Sequence, residues 1–305
     1  MPTDTKRLVA SLSLAFPLSL CLLAGCGGQS GDEGRSHRSS PQSAREQEAR
    51  ARQVADAWRG STPADTWRQG YHPMADVVQA PKSGWHSKGD EQAYETRNFV
   101  LRGALPADGP EQGKVDWGDG KSLNRPLTRS KEAYRSFALN HSDGPLLTVT
   151  GARLGTTTIE TSRGTAIVPA WLFTLRGYDA PLKRVAVAAS KLPESPIGQV
   201  GQGTAGGLRG VRLGGPAVEG RSVAVRATHG ACDDGPVVKV LETDDDVVLY
   251  ASVAGPKSGA CSAEMIEKNM KVELRRPLAD RVLLDALTGR PVPYAPQNGP
   301  SPSWT

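Results

Sequence analysis

"LLTVTGARLGTTTIETSRGTAIVPAWLFTLRGY", residues 146–178, carries the clearest strand signal in the chain, and its reading sets the fold class. Three runs rich in Thr, Val, Ile and aromatic residues, LLTVTGARL, TTTIETS and TAIVPAWLFTL, are separated by Gly155 and by Arg163-Gly164. β-Branched and aromatic residues suit a pleated, half-buried surface, and glycine-containing breaks between such runs mark turns. The pattern predicts a three-stranded antiparallel meander, with RVAVAAS (184–190) as a fourth strand. Upstream, NFVLRGALP (98–106) reads as a strand and KVDWGDGK (114–121) as a strand entering a tight Asp/Gly turn. RSKEAYRSFAL (129–139) reads as a short helix. Before them, SAREQEARARQVADAWRG is rich in Ala, Glu and Arg, good helix formers, with Val54 and Trp58 on one face and Gly60 as the stop.

Downstream the pattern lapses. Eight of the 24 residues from Pro193 to Pro216 are glycine, which predicts a linker between domains. The segment holds no GxxxxGK[ST] and no strand-to-helix context for a phosphate-cradling loop. After it, RSVAVRAT alternates Val223, Val225 and Ala227 on one face, and VVKVLETDDDVVLYASVA pairs two strands about Asp244–Asp246. SAEMIEKNM (262–270) reads as a short helix capped by Ser262; KVELRRP and RVLLDA add strands. The expected fold is mainly β with minor α content, in two small antiparallel β-rich domains. They span 44–192 (with a leading helix) and 217–295, joined by the linker 193–216 and followed by a flexible tail, 296–305.

The N-terminus has a different grammar. Lys6 and Arg7 precede an apolar stretch, Leu8–Leu23, interrupted by Pro17 and ending in Leu23-Ala24-Gly25-Cys26. A charged start, a short apolar core and small residues at the cut are the layout of a secretory signal. The run is too short and too broken for a transmembrane helix, which needs about 20 apolar residues. The last four residues are similar to the bacterial lipobox, in which the cysteine thiol is alkylated by a diacylglyceryl group and the chain is cut before it. This predicts a signal peptide, 1–25, lipidation at Cys26, and a polar tether, 26–43, without a large apolar residue up to Gln42. Two acyl chains suffice for stable anchoring. The expected location is the extracytoplasmic face of the cell membrane. Cys232 and Cys261 then remain as a pair in an exported chain and read as one disulfide.

WRQGYHPM (67–74), NFVLRGALP, LTVTGARLG, TSRGTAIVPAWLFTLRGY and VELRRPLADRVLLDALTGRPV (272–292) together resemble a group of actinobacterial lipoproteins without an assigned activity. The resemblance covers most of the chain after the signal. It implies an envelope location and a β-rich body, and carries no catalytic residue.

Chemistry is sparse. A net charge of +5 on 305 residues, without a Lys/Arg stripe, makes no case for nucleic acid. None of the five histidines lies in an HExxH or HxH, and no GxSxG marks a nucleophile. No catalytic residue and no cofactor is therefore assigned. Asp233, Asp234, Asp244, Asp245 and Asp246 are weak calcium candidates, because calcium favours oxygen clusters, although EF-hand spacing is absent. Trp171 reads as core. Trp85, in the polar stretch PKSGWHSKGD, is the candidate exposed contact. The expected function is a binding or structural module of the cell envelope, held by its lipid, with an envelope protein, a wall polymer or a small solute as partner. The alternative is an extracytoplasmic hydrolase or wall-polymer-modifying enzyme whose active site follows no known motif.

Overall fold

A computed structural model of the chain describes residues 41–107, 109–118, 120–215, 221–255 and 260–295. The signal peptide, Cys26, most of the tether and the tail 296–305 lie outside the described residues. The first described element is a helix, α1 (Pro41–Trp58), so the last three tether residues are helical. Its opening proline suits a first helical turn, whose N–H groups lack intrahelical partners anyway. Gly60, at φ +63°, ends it by adopting a conformation that residues with a Cβ resist. Ser61 then caps α2 (Thr62–Gln69) by accepting from the Ala64 N–H at 3.2 Å. Neither helix, nor any other in the described residues, is long and apolar enough to cross a membrane.

The chain continues through β1 (Val78–Gln79), α3 (Lys88–Glu95), β2 (Phe99–Leu101), β3 (Gln112–Gly118), β4 (Lys121–Pro126) and α4 (Ser130–Phe137). The stretch 146–178 then forms two long strands rather than three short ones: β5 (Leu147–Thr161) and β6 (Gly164–Leu175). Gly155 is no turn. It lies mid-strand opposite Ala170, and a Cβ there would come within 2.6 Å of Leu172 Cδ1. The glycine marks a close approach of side chain to backbone, the other common reason for glycine within a strand. Arg163-Gly164 does turn the hairpin. β7 (Leu182–Val185) closes this part, shorter than the strand expected over 184–190. Strand β6 centres the sheet: β5 and then β2 lie along one edge, while β7–β1 and β3–β4 share the other. The sheet is antiparallel except for the parallel pair β2–β5. Its core gathers Tyr71, Phe99, Phe137, Val149, Phe173 and their neighbours, with Phe137 edge-on to Phe99 and Phe173 at 4.9 and 5.1 Å.

The second part contains β8 (Val211–Leu213), β9 (Ser222–Gly230), β10 (Gly235–Glu242), β11 (Asp246–Ala254), β12 (Met265–Glu273), β13 (Val282–Asp285) and β14 (Arg290–Pro291). They form two sheets, ordered β10-β11-β13-β14 and β12-β9-β8, with β11 and β13 parallel. Strand β11 is buried on both faces from Asp246 to Ser252. The three-stranded sheet covers one face with Val211, Leu213, Val223, Val225 and Ala227; α1 covers the other with Ala51, Val54, Ala55 and Trp58.

Three expectations need correction here. The residues read as a helix over 262–270 lie largely in β12, which pairs with β9 through nine positions from Met265↔Gly230 to Glu273↔Ser222. Glu, Lys and Met favour a helix locally, but pairing along a whole strand overrides that preference. Lys268 and Lys271 then keep this edge strand charged, which discourages pairing with another chain. The glycine-rich segment 193–216 contains β8 and places Leu208, Val211 and Leu213 in the second core. And α1, expected to lead the first domain, packs against the second.

Candidate functional site

The functional geometry starts from the buried face of α1. Gln47 donates through Nε2 to the Gly206 carbonyl at 2.6 Å. Arg50 donates through Nε to Ala286 O at 3.0 Å and through Nη2 to Gly198 O at 2.5 Å. Trp58 Nε1 donates to Gly289 O at 2.8 Å. Carbonyls in irregular backbone need donors when they leave water, and here one helix supplies them to two separate segments. Residues 198–206 and 286–289 are thereby fixed relative to each other.

Those segments wall one side of a cleft of about 620 Å³. Gln199 and Gln202 come from the first, and Leu287 and Thr288 from the second; Arg209 and Arg212 lie on the β8 side. Arg226 and Thr228 come from β9, Glu267 from β12 and Asp285 from β13. Arg212 and Arg226 face each other as direct cross-strand partners on β8 and β9. Arg226 is only 5 % exposed, donates from Nη1 to Glu267 Oε2 at 2.9 Å, and has an Nε with no acceptor among the described residues. Arg209 is half-buried and Arg212 exposed, and neither makes an ion pair with a described residue. Asp285 accepts from Leu287 N–H and from the Thr288 hydroxyl, both at 3.1 Å. Burial pushes its carboxyl up to about 6, against those hydrogen bonds and the nearby Arg50.

Larger volume alone does not make a better site. A cleft of about 780 Å³ is lined by Arg59, Glu242–Asp245, Arg275 and Arg276, but much of its charge is already paired. Glu242 accepts from Arg281 Nη1 and from the Arg275 and Arg276 N–H groups. Burial pushes its carboxyl up, yet those bonds outweigh burial and hold it below its ordinary value. Arg276 also pairs with Asp244 at 2.9 Å. A third cleft, of about 460 Å³, lies beside Trp171, Pro106, Ala107 and Gly109–Glu111, with Arg129 and Glu111 as its charged groups among the described residues. The arginine cleft is where unpaired donors accumulate.

The calcium candidates do not meet. Asp233 and Asp234 lie before β10, with the Asp233 carboxylate accepting from Gly230 N–H at 2.7 Å, whereas Asp244–Asp246 lie after it. Eight strand residues separate the two groups, roughly 25 Å at about 3.3 Å per residue. No group of three or more His, Cys, Asp or Glu suited to a metal occurs among the described residues. Asp246 is buried, and neither carboxylate oxygen has a hydrogen-bond partner among the described residues; burial pushes it up to about 6. Cys232 and Cys261 are joined in a disulfide, Cα–Cα 5.9 Å, which ties the β9–β10 turn to the approach of β12. Trp85 is half-buried rather than free: it packs against Tyr94 at 4.9 Å and Tyr178 at 5.9 Å. Trp171 is core, as its alternating run implies. His72 is buried and stacked on Trp67 at 4.0 Å, and burial lowers it to about 4, so it stays neutral at ordinary pH.

Sequence reading passed over the cleft's arginines. Arg226 occupies an outward position of an alternating strand, where an arginine ordinarily meets solvent. Arg209 and Arg212 sit in the glycine-rich run; the available signal was their interleaving with Leu208, Val211 and Leu213, apolar residues that a free linker has no use for. No protein-family model, no curated protein and no solved structure matches this chain.

Proposed function

We propose that the protein is a lipid-anchored binding module on the extracytoplasmic face of the cell membrane, holding a small polar solute in the arginine-lined cleft. One observation carries the reading. Three arginines line a cleft of about 620 Å³, within the size range of small-molecule sites, and only one of them has an acidic partner among the described residues. The anchor rests on Leu23-Ala24-Gly25-Cys26 and the signal layout before it. The helix that follows the tether is the helix that braces the cleft, donating to the Ala286, Gly198 and Gly289 carbonyls.

Two measurements test it. Cys26→Ser is expected to move the protein from the membrane to the soluble fraction of cells; unchanged membrane retention would contradict the anchor. A photo-crosslinking residue at Gln202, on the cleft wall, is expected to acquire a small-molecule mass adduct in intact cells, while one at the exposed Arg135 of α4 is not. No adduct at Gln202, or the same adduct at both positions, would overturn the binding reading.

A further inference from the structure

We infer that the cleft is an oxyanion site, and that its solute carries a carboxylate or a phosphate seated between Arg226 and Arg212, with Arg209 as a third cation. The inference rests on the binding reading and narrows it to a ligand class.

Three observations converge. First, the arginines are placed as a set. Arg212 and Arg226 are direct cross-strand partners, so their side chains leave the same face of the sheet side by side. Like charges directly opposite on a sheet are unfavourable unless something between them offsets the repulsion. Glu267 offsets one, through Arg226 Nη1; Arg212 and Arg209 are left without an acid among the described residues.

Second, Arg226 is built in rather than displayed. It is 5 % exposed, and its Nε–H has no acceptor among the described residues. An unsatisfied buried donor on a charged group is costly, and native structures keep few without a reason. A guanidinium is a planar fork that matches the two oxygens of a carboxylate or phosphate. An anion entering beside Arg226 would meet a guanidinium already held in place by burial and by Glu267, which leaves the exposed Arg212 to be ordered on binding.

Third, the remaining walls suit the rest of a polar solute. Gln199, Gln202, Thr228 and Thr288 offer amide and hydroxyl groups. Asp285 also faces the cleft, but its oxygens are engaged by Leu287 N–H and Thr288. The nearby Arg50 guanidinium offsets its charge, which leaves the arginine side as the seat for an anion. The chemistry fits a small hydroxylated anion, such as a sugar bearing an acid group, better than a neutral sugar or a cation.

The test uses the full chain and four probes, glucuronate, glucose 6-phosphate and neutral glucose on one sugar scaffold and inorganic phosphate alone, each titrated calorimetrically at low salt. At least one anion is expected to bind, glucose at least about tenfold more weakly, and affinity is expected to fall as salt rises. The glucuronate and phosphate arms separate the two sources of the charge. Arg226→Gln is expected to abolish binding. Because that change can also disturb folding, the double variant Arg209→Gln/Arg212→Gln is the decisive one: unchanged melting temperature, with affinity lower by about tenfold or more. Glucose binding as tightly as the anions, an unaffected double variant, or no anion binding below about 10 mM would each overturn the inference. If it fails while Gln202 still captures a solute in cells, the anion assignment alone falls; if capture fails as well, the binding reading falls with it.

Discussion

The two hydrophobic cores of this chain are built in opposite ways. The first is drawn from one continuous length, Tyr71 to Val187, and its central hairpin is formed by neighbouring strands. The second joins the two ends of the described chain: Ala51, Val54, Trp58 and Trp67 from the start pack with Leu208–Tyr294 from the finish. Both cores contain local hairpins, β5–β6 and β10–β11, but packing α1 into the second core closes a loop of more than 140 residues and carries its entropy cost. The difference also locates the candidate site. The cleft belongs to the second, non-local core, and the donors that brace it come from the far end of the chain.

The comparison breaks first at its largest side chains. Trp58→Ala removes a fully buried ring and the bond to Gly289 O, and is expected to cost about 3–5 kcal/mol, seen as a lower denaturation midpoint. Phe137→Ala should cost a similar amount in the first core. The two changes should differ in consequence: Trp58→Ala weakens solute binding in the cleft, and Phe137→Ala leaves it unchanged at temperatures where the protein remains folded. Equal effects on binding would mean that the cores are not distinct in function.

The disulfide sharpens the comparison further. It closes a loop of 29 residues' separation within the second part only. Paired Cys232→Ser/Cys261→Ser is expected to lower stability by about 3 kcal/mol, with the loss confined to the transition that exposes Val225 and Leu249. A loss shared equally by both cores would contradict that placement.

Buried carboxyls add a pH signature to the same part. Asp246 and Asp285 are both raised to about 6, above their unfolded value, so the folded protein holds more protons than the unfolded chain between those limits. Each therefore favours folding as pH falls from about 7 toward 4, and penalises it above. His72 opposes them: lowered to about 4, it loses stability as pH falls through its unfolded value. Asp246→Asn isolates one contribution. At pH 7.5 the variant is expected to be more stable than the parent by about 2–3 kcal/mol, the advantage fading by about pH 4. A variant less stable at pH 7.5 would show that Asp246 has a favourable partner. The smallest effect belongs to the solvent face of α1, where Arg52→Ala removes only an exposed pair with Glu48 and is expected to change stability by less than about 0.5 kcal/mol.

What was legible in the sequence follows from how local each feature is. The helices at 43–60 and 129–139, the turn after Asp116 and the hairpin about Asp244–Asp246 are set by neighbours, and the structure has them. Gly155 misled because a glycine required for close packing against Leu172 looks the same as one required for a turn. The β12 residues misled because their helical composition is overruled by a partner strand some 40 residues away. The stripe of Val54 and Trp58 announces a buried face without saying what buries it. The cleft was least legible of all. Two of its arginines come from strands β8 and β9 and the third, Arg209, from the residues before β8; its remaining walls come from four more segments, and no motif length spans them.

The most direct measurement is native-state hydrogen exchange on the full chain and on Trp58→Ala. The account requires that losing the ring deprotects β11, β13 and the backbone of 198–206, while the β5–β6 ladder keeps its protection. Unchanged protection in β11, or a loss centred on β5–β6, would contradict a second core closed by the N-terminal helix.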